Sequence, residues 1–146
     1  TEDSLQQYQL SLKDRMEAVQ RTAEQQPGVS IVIAQGSSAA VLNRLYADKQ
    51  LQEPAAFIML GAYLPDQELN RQLAKAMASH QIPTLDINHQ YDNDYVSSQL
   101  KLRQQLAKKQ LKAIYRQRQI IGSGYHNDEQ EWVLQEIYGW LTSVGL

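Results

Sequence analysis

Cysteine is absent from the 146 residues, which excludes a disulfide framework, thiol catalysis and any Cys-ligated zinc or iron–sulfur centre. The compartment stays open, because a cysteine-free chain folds in the cytosol or the periplasm alike. No apolar run approaches the ~18–20 residues of a membrane span; the longest, from Ala55 to Ala62, is strand-sized. Neither sign of charge dominates. Fourteen Lys and Arg face sixteen Asp and Glu, for a net charge of -2, which argues against a surface that seeks nucleic acid as a whole. An initiating methionine is also missing, since the chain opens at Thr1. The expected cause is a cloning boundary, a processing site or a proteolytic scar, each of which can remove targeting information. What the chain has in excess is glutamine, 21 residues scattered rather than clustered. Scattered Gln on helix faces reads as solvated surface and not as a low-complexity tract.

Periodicity divides the sequence into alternating elements. Leu5, Tyr8, Leu12, Met16 and Val19 recur at spacings of three and four, predicting an amphipathic helix from Ser4 to Ala23 that Pro27-Gly28 ends. The short β-branched run Val29 to Ala34 suits a strand covered on both faces. Small residues, Gly36 to Ala40, lead from it into a helix carrying Val41, Leu42, Leu45 and Tyr46. The unit then recurs: a strand from Ala55 to Leu60 precedes a helix striped by Leu69, Leu73, Ala76 and Met77, and a strand from Ile82 to Ile87 precedes a long helix from about Tyr95 to Leu111. Pro83 is confined to the start of its strand. A fourth strand, Ile114 to Ile121, is broken by Gly122-Ser123-Gly124, and a last helix starts near Asn127 and buries Val133, Ile137, Trp140, Leu141 and Val144.

Strands alternating with helices of this length imply parallel pairing through right-handed crossovers. The expectation is one α/β domain over residues 1–146, a three-layer αβα sandwich on a mostly parallel four-stranded sheet. Residues 1–28 supply the N-terminal helix and residues 29–146 four β-α units. Ligands in such sheets bind at the carboxyl ends of the strands, here Gln35 to Ser38, Gly61 to Asp66, Asn88 to Asp94 and Gly122 to Asn127.

Those four ends resemble the second half of an α/β-hydrolase. In that family the nucleophile sits on a sharp strand-to-helix elbow flanked by small residues, and an acid and then a histidine follow later strands. The matching segments are Ala34-Gln35-Gly36-Ser37-Ser38-Ala39 for the elbow, Asn88-His89-Gln90-Tyr91-Asp92 for the acid, and Gly122-Ser123-Gly124-Tyr125-His126 for the histidine loop. Within the superfamily the likeness is to an uncharacterised bacterial group of unknown function. The resemblance covers Val29 to Leu141, rests on order and spacing together, and implies a fold equivalent to the C-terminal half of an α/β-hydrolase. Two registers are open at the elbow. One places Gly36 at the nucleophile position, with Ala34 and Ser38 as flanks, which removes covalent hydrolysis because glycine has no attacking side chain. The other makes Ser38 the nucleophile between Gly36 and Ala40, with His126 as base and Asp92 as the group that orients it. Gln35, Gly36 and Ser37 are the candidate ligand-binding positions beside it.

Each of these residues has a plainer reading. Ser37 and Ser38 suit a helix cap, Asp92 suits a turn and cap before the following helix, and His126 suits an exposed loop, while His80 and His89 read as surface residues. The resemblance also implies strands before the elbow and a loop among them that donates one oxyanion N–H. Only one helix precedes Val29, so the expectation is a chain without serine-hydrolase activity of its own, a pseudo-enzyme. Loss of one such donor alone removes ~2.7–4 kcal/mol of transition-state stabilisation.

No metal spacing connects His80, His89 and His126, and neither G-x-x-x-x-G-K-[ST] nor G-x-G-x-x-G occurs, so no cofactor is expected. A phosphate at the Gly36-Ser37-Ser38 turn, as in a flavodoxin-like module, is a further candidate with no second motif behind it. A different class of function rests on Lys101, Arg103, Lys108, Lys109, Lys112, Arg116 and Arg118, a basic run without an acid that suits a polyanion. Its plainer reading is a solvated helix face balanced by the acidic stretch Asp128 to Glu136. Finally, no strand is available to cover one edge of Val29 to Ala34, whose single polar residue is Ser30. That edge lacks the Lys, Pro or bulge that guards native edges, so the expected partner is a second copy, paired edge to edge or by exchange of the N-terminal helix, or else the missing N-terminal half of the same protein.

Overall fold

The chain folds around four parallel strands, β1 (Ile31–Gln35), β2 (Ala56–Leu60), β3 (Thr84–His89) and β4 (Tyr115–Ile120), ordered β1-β2-β3-β4 across the sheet. Their register runs Ile31 beside Ala56, Phe57 beside Thr84, and Thr84 beside Tyr115. The structure, a computed structural model, describes residues 2–121 and 127–146. Helices α1 (Glu2–Ala23), α2 (Gly36–Ala47), α3 (Gln67–Ser79), α4 (Asp94–Ser97), α5 (Leu100–Lys109) and α6 (Asn127–Ser143) complete it. The expected αβα sandwich and parallel four-stranded sheet are what the molecule has.

Strand alternation divides the core into two layers. Phe57 and Met59 point to one face, where they meet Ala39, Val41, Leu42, Leu45 and Tyr46 of α2 and Leu73 and Met77 of α3. Helix α1 lies outermost on this side. Leu5, Tyr8, Leu12 and Met16 of its stripe pack inward, whereas Val19 is exposed. Ala56, Ile58, Leu85, Ile87 and Ile120 point to the opposite face, where α6 supplies Val133, Ile137 and Trp140.

Helix α6 packs on β3 and β4 and its side chains reach β2, whereas β1 meets it only across an open groove. Ile31 and Ile33 are 37% and 52% exposed, which corrects the expectation of a strand covered on both faces. The expected long helix is also divided. Asn93 caps α4 by accepting from the Val96 N–H, and α5 restarts at Leu100.

The basic run is the largest departure. Arg103 is fully buried, and its Nη1 donates to both carboxylate oxygens of Asp86 at 3.2 and 3.1 Å. Its Nη2 donates to the Ala62 carbonyl at 2.6 Å. Tyr115 adds a hydroxyl donor to Asp86 Oδ2 at 2.6 Å, and burial, followed by the neighbouring Asp86, raises the phenol pKa. Lys112 is buried too, and Arg118 forms a two-pronged pair with Glu136 of α6. Three of the seven cations therefore serve the interior or the α6 contact.

Removing one partner of a buried ion pair leaves an uncompensated charge. Arg103→Met is expected to lower stability by about 3–5 kcal/mol in urea unfolding, and Asp86→Leu in the same chain to recover much of that loss. An Arg103→Met loss below about 1 kcal/mol, the range of an exposed pair, contradicts the assignment.

Candidate functional site at the carboxyl ends of the strands

Two adjacent strands leave the sheet in the same way. Gly36 follows β1 at φ 59° and Gly61 follows β2 at φ 56°, a left-handed conformation that costs other residues roughly 1–2 kcal/mol. Gln35 and Leu60 are register partners, so the two glycines lie about one strand spacing apart, ~4.8 Å.

Asp92 arrives over this junction from the loop after β3. Its Oδ2 accepts from the His89 N–H and its Oδ1 from the Asn93 N–H, both at 3.2 Å. A methyl group built on Gly61 would stand 3.1 Å from Asp92 Oδ2. Asp92 therefore ties its own turn together and leans over the end of β2, while the helix cap expected of it belongs to Asn93.

Tyrosines close the junction from the helix side. A methyl group on Gly36 would lie 4.0 Å from the Tyr63 ring, and Tyr63 is stacked on Tyr95 with ring planes 12° apart. Asn70, buried in α3, holds the arrangement by donating to the Tyr95 carbonyl and accepting from the Leu64 N–H. Asp66 caps α3 through the Leu69 N–H at 2.8 Å, fixing the loop that carries Tyr63. Sequence reasoning did not find Tyr63, Tyr95 or Asn70. The two tyrosines are 32 positions apart with no shared periodicity, so no local pattern joins them.

The serines point elsewhere. Ser38 lies two residues inside α2, and its Oγ is 2.6 Å from the Tyr8 hydroxyl of α1. Ser37 lines an open groove of about 430 Å³ with Ser4, Leu5, Tyr8, Leu64, Pro65 and Leu69. Gln35 borders a different groove, about 340 Å³, floored by Ile33 and Leu60 and walled by Val133, Leu134 and Ile137 of α6. The junction thus gathers Gly36, Gly61, Tyr63 and Asp92, and turns Ser38 toward α1. His126 and its Gly122 to Tyr125 loop lie outside the described residues.

His89 and His80 are both buried, correcting the surface placement expected of them. Among the described residues no three His, Cys, Asp or Glu side chains gather where a metal ion could be held. No helix among them is long and apolar enough to cross a membrane.

The architecture defines a parallel α/β domain whose loops converge on a glycine-lined strand-end junction. The chain belongs to a family described as protein of unknown function (DUF3530), whose model matches residues 2–143. No curated protein and no solved structure matches it.

Gly61→Ala combines a left-handed backbone with crowding against Asp92, and an expected loss of about 1–3 kcal/mol. Asp92→Ala relieves the crowding but gives up the two turn hydrogen bonds, so Gly61→Ala is expected to cost less in an Asp92→Ala background than in the wild type. Equal stability of Gly61→Ala and the wild type in thermal unfolding contradicts the close approach.

Proposed function

We propose that this chain is a hydrolase-like domain without serine-hydrolase activity of its own, which acts by associating with other protein. The observation that carries this reading is Gly36 at φ 59° at the strand-to-helix turn. It stands where the resemblance to an α/β-hydrolase locates the nucleophile, and it offers no atom to attack a carbonyl. The neighbouring hydroxyl, Ser38, belongs to α2 and is bonded to Tyr8, which supports the same reading.

Polyanion binding has less behind it. Arg103 and Lys112 are buried and Arg118 is bonded to Glu136, so the seven cations do not form one exposed face.

Association is supported by the outer edge of the sheet. β1 is terminal in the strand order, carries no charged residue, and exposes Ile31 and Ile33 beside the apolar groove under α6. An unguarded edge of this kind pairs readily with another strand. The partner we infer is a second copy of the chain, joined along β1.

Fluorophosphonate labelling followed by peptide mapping tests the first part. No adduct on the folded protein is the expected outcome, and an adduct on Ser38 overturns the Gly36 register in favour of Ser38 as nucleophile. Light scattering tests the second. The wild type is expected as a dimer, and Ser30→Lys as a folded monomer with an unchanged circular-dichroism spectrum. A wild-type monomer throughout the micromolar range removes the self-pairing.

A further inference from the structure

Behind the sheet, at the end opposite the glycine junction, a chain of buried polar groups joins four elements. Lys112, in the turn between α5 and β4, sends its Nζ to three acceptors: the His80 carbonyl at 2.7 Å, the Ile82 carbonyl at 3.0 Å and His80 Nδ1 at 3.2 Å. An ammonium has three protons and no lone pair, so the three contacts satisfy it completely and Nδ1 has to accept. The imidazole proton is therefore on Nε2, which donates to Asn43 Oδ1 of α2 at 2.8 Å. Asn43 Nδ2 in turn donates to the Ala39 carbonyl and lies 2.9 Å from Met59 Sδ of β2. While Lys112 is charged, only one arrangement of protons satisfies every member.

That arrangement has a weak point. His80 has one lone pair on which to take up a proton, and the Lys112 ammonium occupies it. Protonation would place two cations 3.2 Å apart in a pocket where His80 is 4% exposed. Among the described residues, no acid is in contact with the ring. Asn43 and Tyr46 face it from α2, Phe57 from β2, and Lys112 from the α5–β4 turn, while Met59 lies behind Asn43. Glu53 is the acid whose charge acts on Lys112.

We propose that His80 and Lys112 form an acid-sensitive latch, closed while the imidazole is neutral, whose opening frees the α5–β4 turn from the α3–β3 turn. The strength of burial fits this role. It pushes His80 down to about 3, with Lys112 adding to the shift, and lowers Lys112 to about 7. Lys112 is thus charged throughout the acid range in which the latch is tested. The unfolded chain binds a proton at His80 below about 6.5 while the closed form stays unprotonated until about 3. Open forms bind more protons in that window, so closure weakens as pH falls through it.

Amide hydrogen exchange on the full chain reads the latch locally. The Lys112 N–H is bonded to the Ala107 carbonyl and the Ala113 N–H to Gln81 Oε1, whereas the Phe57 N–H is bonded to the Pro83 carbonyl in the sheet. Between about pH 7 and about pH 4, the first two are expected to lose protection by about tenfold or more beyond the intrinsic pH effect, while Phe57 holds its protection. In His80→Asn the side-chain oxygen still accepts from Lys112 but does not titrate, so the acid-dependent loss is expected to vanish. Equal loss in His80→Asn, no loss in the wild type, or simultaneous loss at Phe57 each overturns the proposal. Should His80→Asn fail to fold, ring nitrogen chemical shifts of the wild type decide. Protonation of His80 in step with exchange supports the latch, and exchange without it, or an Nδ1–H tautomer of the closed form at about pH 5, where Lys112 is charged, refutes it.

Discussion

A parallel strand can be followed by its neighbour only through a crossover, and crossovers between right-twisted strands take one hand. In a sheet ordered β1-β2-β3-β4, three successive steps in the same direction put α2, α3 and α5 on one face. The other face is left to α6, the helix that follows the last strand among the described residues. One helix is ~10 Å wide and strands are spaced ~4.8 Å apart, so with its side chains it cannot roof all four strands. It lies on β3 and β4 and its side chains also bury Ala56 and Ile58 of β2, which leaves β1 exposed. The exposed Ile31 and Ile33, and the groove they share with α6, are consequences of connection order and not of local sequence. The proposal about a partner begins from that uncovered face of β1.

The crowded side has a different dependence. Helix α5 buries only Arg103 and Ala107 outright, too little apolar surface to choose its own position on the sheet. The Arg103–Asp86 pair, the Ala62 carbonyl and Tyr115 select it instead. A buried ion pair is weak evidence for net stability, but its geometry tolerates little sliding. The helix is held by specificity where an apolar stripe would hold it by area.

This explains what could be read in the residues alone. The alternation of strands and helices was legible because β2 and the α2 and α3 stripes follow simple periods, and the parallel sheet follows from that alternation. The two-residue displacement of β3, from Ile82–Ile87 to Thr84–His89, was not legible. Asn88 and His89 are polar yet buried, and pattern reading stops a strand where polarity begins. Asp86 and Arg103 are 17 positions apart, so the sequence displays two charges without displaying the pair. The same holds for His80, which owes its burial to Lys112 and Asn43, each more than thirty positions away. At the candidate site, chain order puts Gly36 after β1 and Asp92 after β3 at the same end of the sheet, because loop position follows from strand count. It does not show that Asp92 leans over Gly61, at the end of the strand between them. The aromatic cover of Tyr63 and Tyr95 depends on side-chain stacking across two loops, which no period encodes.

The two glycine exits invite a final comparison. A residue with a side chain, held at φ near +57°, stores strain that an active site can tolerate because the position serves the chemistry. Glycine removes both the strain and the side chain. At Gly61 the reason is visible: the Asp92 carboxylate occupies the space a methyl group would take. At Gly36 the nearest neighbour, Tyr63, stands off at ordinary contact distance, so sterics alone do not require glycine there. What remains is the backbone conformation itself. The elbow keeps its turn without strain, Ser38 is bonded to α1, and the surrounding groups bond to one another. A junction so arranged stabilises the meeting of α1, α2 and the β2–α3 loop. The glycine at this exit therefore serves the packing of these elements, with Ser38 spent on the contact to α1.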